Sequence, residues 1–403
     1  MSKISGRRKM KIKIAQNVFP ILLAVVLLSV SCRSMEATQS VLPTATPTIP
    51  ATATNFPEAR TDCDSRFPSV PEERKSFPAA EWKISSLEEH CLDREKVEKA
   101  VWYFEQNYTT SSLLIVRHGE LVYEKYFFSF NKPERRVPIY SITKSVLSAL
   151  VGIAMDQGQL DSLDHTVIEY FPEYFYPDTD PRMSQVTLRD LLTMSAGFVW
   201  LEDGEIEERW AESGNLVEAS INLKFQDTPG KGFTYSSANT QLMSAILTKI
   251  VDEPLRDYAQ RNLFSPLGIQ RKDWSWGVDD QGYYLGGWGV NMRPRDVARF
   301  GYLYLNDGYW DGKQVISKEW VRQSTSAQIN AFAGADYGYL WWVHPGEDPS
   351  IFEAIGYGGQ SLYIVPSLDL VVVVTGNVDS GDAGAPDPAT IIYEWIVKAV
   401  TDK

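Results

Sequence analysis

The chain has 403 residues, 44% of them hydrophobic, and a formal net charge of −13. This is enough apolar material for one large globular domain or two modest ones. The acidic balance excludes nucleic acid as a partner, the more so because the six basic residues Lys3, Arg7, Arg8, Lys9, Lys11 and Lys13 all precede residue 32, with no acid among them, and leave the rest at −19.

Those cations lead into an apolar run, Val18 to Val30, broken only by Pro20 and Ser29. The run is short for a membrane span of ~20 residues but suits the apolar region of an export signal. Cys32 directly behind it resembles a bacterial lipobox, in which the cysteine is lipidated and becomes the new N-terminus, although Ser29 stands where an aliphatic residue is usual. Ordinary cleavage and an uncleaved anchor remain the alternatives. From Glu36 to Pro57 the chain is mostly Thr, Ala and Pro without apolar periodicity, which predicts an extended tether. The expected layout is a lipoprotein-type signal over 1–31, a tether over 32–60 and a catalytic domain over 61–403, held to the cell envelope outside the cytoplasm. In an exported chain Cys63 and Cys91 suit a disulfide, with two unrelated thiols as the alternative.

A helix is predicted from Asp93 to Tyr108, where Val97, Val101, Trp102 and Phe104 recur at helical spacing. Leu113–Val116 and Leu121–Tyr123 flank Arg117-His118-Gly119-Glu120, a hairpin signal. Pro138 to Ala154 follows, and from Val146 to Met155 it is apolar on almost every side, as in a helix buried all round. Thr187-Leu188-Arg189-Asp190 forms a capping box for a short helix. Further helices are expected over Asn239–Val251 and over Arg295–Leu305, the latter between Pro294 and Gly308. Strand signals return at Tyr339–Val343, Ser361–Val365 and Leu370–Thr375, the last two joined by Pro366-Ser367-Leu368-Asp369. A final helix is expected over Ala389–Val400. Strands at both ends with helices between them predict an α+β fold: one antiparallel sheet built from both termini, flanked by helices, with a helical lobe inserted and a cleft at its boundary.

Ser141 and Lys144, three residues apart, share one face of the first turn of the buried helix. Burying a lysine is costly and favours its neutral amine, which can take the proton of a neighbouring hydroxyl. A second copy of the spacing, Ser129 to Lys132, falls in a polar segment before Pro133 and is attributed to chance. The four histidines, His90, His118, His165 and His344, all fall in loop or turn contexts, each read as a surface or capping residue. No G-x-S-x-G elbow occurs, so the base is sought among Lys and Tyr. Tyr235 in Phe233-Thr234-Tyr235-Ser236-Ser237-Ala238-Asn239 is a candidate, since a protonated lysine would stabilise its phenolate. Spacing alone favours a core tyrosine followed by a capping serine. In Gly356-Tyr357-Gly358-Gly359-Gln360-Ser361, glycines at a strand edge let a ligand approach the backbone, and such an edge can supply an oxyanion N–H; a plain glycine turn is the alternative. No cluster has metal-ligand spacing and no phosphate loop occurs, so no metal and no cofactor are expected.

Taken together, S-x-x-K at Ser141–Lys144, Y-x-S at Tyr235–Ser237 and the glycine strand at Gly358-Gly359 resemble the β-lactamase-related serine hydrolases. That family includes class C β-lactamases, D-alanyl-D-alanine carboxypeptidases, family VIII esterases and 6-aminohexanoate-dimer hydrolases. Val186 to Gly197 and Arg293 to Gly301 resemble its framework segments. The resemblance implies acylation of Ser141, proton transfer by Lys144 and Tyr235, hydrolysis by water, and an oxyanion held between the backbone N–H groups of Ser141 and Gln360. Two departures bear on substrate. Ser237 stands where β-lactam enzymes have an asparagine that binds the substrate amide. Tyr357 replaces the lysine or histidine that helps hold the β-lactam carboxylate, which removes a charge-assisted contact. Both point to a small-molecule carboxylic ester or non-peptide amide as substrate, with a β-lactamase or D-alanyl peptidase as the alternative. A non-catalytic ligand-binding or sensor domain on the same fold is the competing class. Gly359, Gln360, Ser237 and Tyr357 are the expected substrate contacts. Of Trp200, Trp288, Trp341 and Trp342, the first two are the pocket candidates, because they follow family-like segments.

Overall fold

The computed structural model describes residues 66–401, apart from 69, 75–76, 79–80, 107–108, 129–131, 333 and 378–387. The expected signal, Cys32, the tether, Cys63 and Ser129 lie outside the described residues. Cys91 is disulfide-bonded.

Two strands, β1 (Thr110–Arg117) and β2 (Glu120–Tyr126), form the N-terminal hairpin, turning through His118 at φ 52° and Gly119 at φ 79°. The short strands β3 (Val137–Pro138), β4 (Trp274–Trp276) and β5 (Val290–Met292) make a small sheet of their own, and β6 (Tyr309–Trp310) pairs with β7 (Lys313–Gln314). Then come β8 (Ile329–Phe332), β9 (Ala335–Tyr337), β10 (Trp342–His344), β11 (Ile351–Gly356), β12 (Gln360–Val365) and β13 (Leu370–Gly376). The main sheet is antiparallel throughout, in the order β2-β1-β13-β12-β11-β10-β9-β8. The N-terminal hairpin thus closes on the last strand, as the placement of strand signals at both ends predicts.

The central strands are buried on both faces, and alternation sorts their side chains. Leu114, Val116, Leu362, Ile364, Val371 and Val373 pack with the helices Ile142–Asp156 and Pro294–Leu305. Leu113, Ile115, Tyr363, Val365, Val372 and Val374 pack instead with the Arg94–Gln106 helix and the C-terminal segment. Expected as one α-helix, that segment is an α turn (Pro388–Ile391), a π turn (Ile392–Ile396) and a 3₁₀ turn (Val397–Ala399). Its apolar pairs 391/392 and 396/397 lie five residues apart, and a π turn brings them closer to one face than an α turn would.

The Ile142–Asp156 helix is buried from Ile142 to Ala154, as its composition predicts. Gly152 gives it room for a neighbour: a Cβ there would lie 2.3 Å from the Trp320 ring. Ser145 Oγ donates to the Leu340 carbonyl at 2.8 Å and ties the helix to the segment leading into β10.

Two histidines correct the expectation of surface or capping roles. His90 and His118 are 1% and 6% exposed, with their Nδ1 atoms 3.1 Å apart and Phe67 stacked on both rings. Burial, and next the Arg117 guanidinium, push the His118 imidazole down to about 2, so this ring is a neutral structural element. His165 bonds Asp161 and Glu169, and His344 bonds Glu353 at 2.9 Å.

Candidate active site

Three segments converge on the start of the Ile142–Asp156 helix. Tyr140 enters it at φ 45°, a conformation that is strained for a bulky residue, and Ser141 occupies the N-cap position. An N-cap serine ordinarily spends its hydroxyl on the helix's free N–H groups. Here Ser141 makes no such cap bond, and its Oγ lies 3.1 Å from Lys144 Nζ.

Lys144 is 1% exposed, and two further acceptors surround its Nζ: Ser237 Oγ at 3.2 Å and the Gly287 carbonyl at 3.0 Å. The Tyr235 ring lies beneath it, 4.7 Å from Nζ to the ring centroid. The Tyr235 hydroxyl has no hydrogen-bond partner among the described residues. Gly287 reaches Lys144 because it lacks a side chain: a Cβ there would lie 2.8 Å from Ser237 Oγ, and one on Gly286 would lie 2.0 Å from the Thr240 carbonyl.

The Tyr235 loop is held by the first framework segment. Thr187 forms the expected capping box with Asp190 and opens the Leu188–Leu192 helix. Beyond it, Met194 accepts from Thr234 N at 2.8 Å and Ser195 accepts from Gly230 N at 2.8 Å. Ser237 then begins the next helix, Ser237–Val251, two residues earlier than predicted.

Glycines join the third segment to the nucleophile. Gly356 ends β11 so close to Ile139 that a Cβ would lie 2.5 Å from its carbonyl oxygen. Gly358 and Gly359 make the turn into β12 at φ 76° and 82°. Gln360 is 1% exposed, and its side chain is committed to the backbone: Oε1 accepts from Gly376 N at 3.0 Å, and Nε2 donates to the Gly376 carbonyl at 3.0 Å. Only its backbone is therefore available to a ligand. Tyr357 is 62% exposed and meets the Tyr140 ring edge to face at 5.7 Å.

Three of the expected substrate contacts, Ser237, Trp200 and Trp288, have close neighbours within the protein. Ser237 is 3% exposed, and its Oγ lies 2.6 Å from Glu202 Oε1 as well as against Lys144, so its hydrogen and one of its two acceptor positions are used inside the protein. Trp200 is buried and packs on Trp210 at 5.3 Å in a small apolar cluster of the helical lobe, and the half-buried Trp288 packs against that cluster, 5.9 Å from Trp210. Trp341 is fully buried among Phe300, Tyr304 and Phe352. Trp342 stacks on Tyr235 at 5.7 Å, with the exposed Phe332 ring 5.4 Å beyond it, and Trp288 directly follows Gly287, whose carbonyl accepts from Lys144.

Sequence reasoning missed Gly287 and Glu202. The double glycine 286–287 is a usable signal for close backbone approach. Glu202 sits in the acidic stretch Glu202-Asp203-Gly204-Glu205-Ile206-Glu207-Glu208, which reads as a solvated face. Instead, Asp203 N donates to Glu207 Oε2 at 2.6 Å. Burial, then the charge and hydrogen bond of Glu202, push the Glu207 carboxyl up to about 8. No group of His, Cys, Asp and Glu suited to a metal occurs among the described residues.

A nucleophilic hydroxyl, an amine in hydrogen-bond reach and a phenol, at the head of a buried helix beside a glycine-lined strand edge, form an arrangement suited to acyl transfer. A family model described as Beta-lactamase matches residues 86–393. The 6-aminohexanoate-dimer hydrolase of Paenarthrobacter ureafaciens is 27% identical over 307 residues, 70% of this chain and 74% of its own. Among solved structures, EstCE1, a hydrolase with promiscuous acyltransferase activity, superposes with a TM-score of 0.62 at 17% identity, over 76% of this chain and 98% of its own. A penicillin-binding protein from Bacillus halodurans gives 0.58 at 16% identity, over 73% and 98%. The chain belongs to the beta-lactamase family of serine hydrolases and has its α+β fold.

Proposed function

We propose that this protein is an exported serine hydrolase that cleaves a carboxylic ester or a non-peptide amide through an acyl-enzyme on Ser141. The observation that carries the reading is the Ser141–Lys144 pair at 3.1 Å, with Ser141 Oγ free of any capping bond. Ser141 Oγ attacks the substrate carbonyl while its proton passes to Lys144 Nζ. The oxyanion is stabilised by the backbone N–H groups of Ser141 and Gln360. Tyr235, its ring held against Lys144, delivers a proton to the departing alcohol or amine and is reprotonated by the one that Lys144 took from Ser141. Water then attacks the ester on Ser141 while the neutral Lys144 takes its proton, and that proton passes to Ser141 Oγ as the acid is released.

The substrate preference rests on Tyr357. An exposed phenol packed on Tyr140 cannot make the charge-assisted contact to a carboxylate that a lysine or histidine there would make. Trp342 and Phe332 add aromatic surface beside Tyr235, which suits an uncharged acyl group. Comparing turnover of a short-chain aryl ester, a linear amide and nitrocefin tests this. The ester or the amide is expected to lead, and nitrocefin as the best of the three, unchanged in Tyr357→Phe, refutes it.

Localisation belongs to the same proposal. The cationic start, the apolar run and Cys32 support export with a lipid on Cys32, and the Thr/Pro-rich stretch supports a spacer between the membrane and the enzyme. Wild-type protein is expected in the membrane fraction and Cys32→Ala outside it; equal partition of the two refutes the anchor.

A further inference from the structure

We infer that Glu202 is a positioning residue for Lys144: acting through the Ser237 hydroxyl, it decides which way the amine's lone pair points. The inference rests on the proposed roles of Ser141 and Lys144. Its geometry is a chain of three contacts, Glu202 Oε1 to Ser237 Oγ at 2.6 Å, Ser237 Oγ to Lys144 Nζ at 3.2 Å, and Lys144 Nζ to Ser141 Oγ at 3.1 Å.

Proton inventory gives the chain a direction. A carboxylate can only accept, so the single hydrogen of Ser237 goes to Glu202. Ser237 Oγ must then accept from Lys144. The Gly287 carbonyl can also only accept, and it takes a second Lys144 hydrogen at 3.0 Å. Two of the three positions on Nζ are thereby filled by hydrogens, and the third faces Ser141. In the neutral amine that third position is the lone pair, aimed at the proton it has to remove. Without Glu202 the Ser237 hydroxyl is free to turn and donate to Lys144, which draws the lone pair away from Ser141.

Burial, then the charge and hydrogen bond of Glu202, push the neighbouring Glu207 carboxyl up to about 8, so Glu207 holds its proton at neutral pH. Asp203, whose carboxyl is raised by burial and next by Glu202, lies beside it, and Tyr337 faces it from β9. Lys144, Glu207 and Tyr235, whose ring lies 4.7 Å from Lys144 Nζ, are further ionisable groups near the Ser237–Glu202 contact.

Glu202→Gln, Glu202→Asp, Ser237→Ala and the double variant Glu202→Gln/Ser237→Ala test the inference on the full chain with an aryl ester, each rate normalised to folded protein. An amide can donate to Ser237 as well as accept, so Glu202→Gln is expected to lower kcat by ~10–100-fold, the scale of a misaligned reacting group, while KM stays within about twofold. Glu202→Asp, shorter by one methylene but still only an acceptor, should fall between that variant and wild type. The acid limb of the kcat/KM profile should move to lower pH in Glu202→Gln, which removes a negative charge near Lys144, and stay in place in Ser237→Ala. Because both residues act through one contact, the double variant should lose no more than Ser237→Ala alone. A Glu202→Gln enzyme with wild-type kcat and an unmoved acid limb overturns the inference, as do multiplicative losses in the double variant. If Glu202→Gln does not fold, Glu202→Asp decides by kcat alone, since it keeps the charge: wild-type kcat in that variant overturns the inference. Wild-type protein that neither turns over ester nor forms an adduct on Ser141 overturns the underlying functional reading as well, which separates the two failures.

Discussion

Gly356→Ala tests whether the strand edge and the nucleophile turn form one unit. The added Cβ would sit 2.5 Å from the Ile139 carbonyl oxygen and 3.0 Å from Gln360 Cβ, whereas ordinary contact begins near 3.4 Å. The difference of 0.9 Å must be found by moving β11 and Ile139 apart. Ile139 O also accepts from Ile142 N at 3.1 Å, so it belongs to the turn that presents Ser141. The required movement therefore separates Ser141 from the start of β12, where the second oxyanion N–H is proposed. Overpacking of this kind costs ~1–3 kcal/mol of stability, and misplacing reacting groups by about 1 Å costs up to ~10² in rate. The assay is kcat on an aryl ester at saturation, alongside thermal unfolding. Gly346→Ala, where an added Cβ meets nothing within 4 Å, is the control and should change neither. Wild-type kcat and melting temperature in Gly356→Ala would refute the claim that this contact sets the site geometry.

Other outcomes follow from the same contacts. Lys144→Ala and Tyr235→Phe should each lower kcat by ~10²–10⁴, the range for lost acid–base help, measured in ester hydrolysis; near-normal rates in either contradict its role. Gly152→Ala should destabilise the fold by ~1–3 kcal/mol in denaturant titration even though alanine favours helices, because its Cβ would meet the Trp320 ring at 2.3 Å. Glu207→Gln should raise the melting temperature in a pH-dependent way. The Glu207 carboxyl is raised from 4.5 to about 8 in the folded protein, so between those values the folded state holds a proton that the unfolded chain releases. Native stability falls as pH rises through that window. The variant's advantage should be absent below about pH 4.5, grow up to about pH 8 and level off above it; a pH-independent difference contradicts the half-buried carboxyl pair.

What could be read in the sequence follows the range of the interactions. The buried helix with Ser141 and Lys144, the β1–β2 hairpin and the Thr187 capping box are local patterns, and each lies where its periodicity or cap places it. The closing of the sheet through β1 and β13 follows because strands with both faces apolar need partners on both sides. The small sheet of β3, β4 and β5 has strands of two or three residues, too short for any alternation to register. Glu202 meets Ser237 across 35 residues, and Gly287 meets Lys144 across 143, so neither contact leaves a local trace. His90 and His118 look like loop residues because the Phe67 ring that buries them is distant in sequence. The tryptophans mislead for a related reason: position after a family-like segment does not say which face a ring takes, and Trp342 rather than Trp200 stacks on Tyr235.

The central claim is that Ser141 is the acylated nucleophile. Treating the protein with a fluorophosphonate and mapping the modified peptide by mass spectrometry addresses it directly, with Ser141→Ala in parallel. The account predicts one adduct, on Ser141, absent from the variant and slowed in Lys144→Ala. An unmodified Ser141 under conditions that label a control serine hydrolase, or an adduct on another residue that persists in Ser141→Ala, would contradict it.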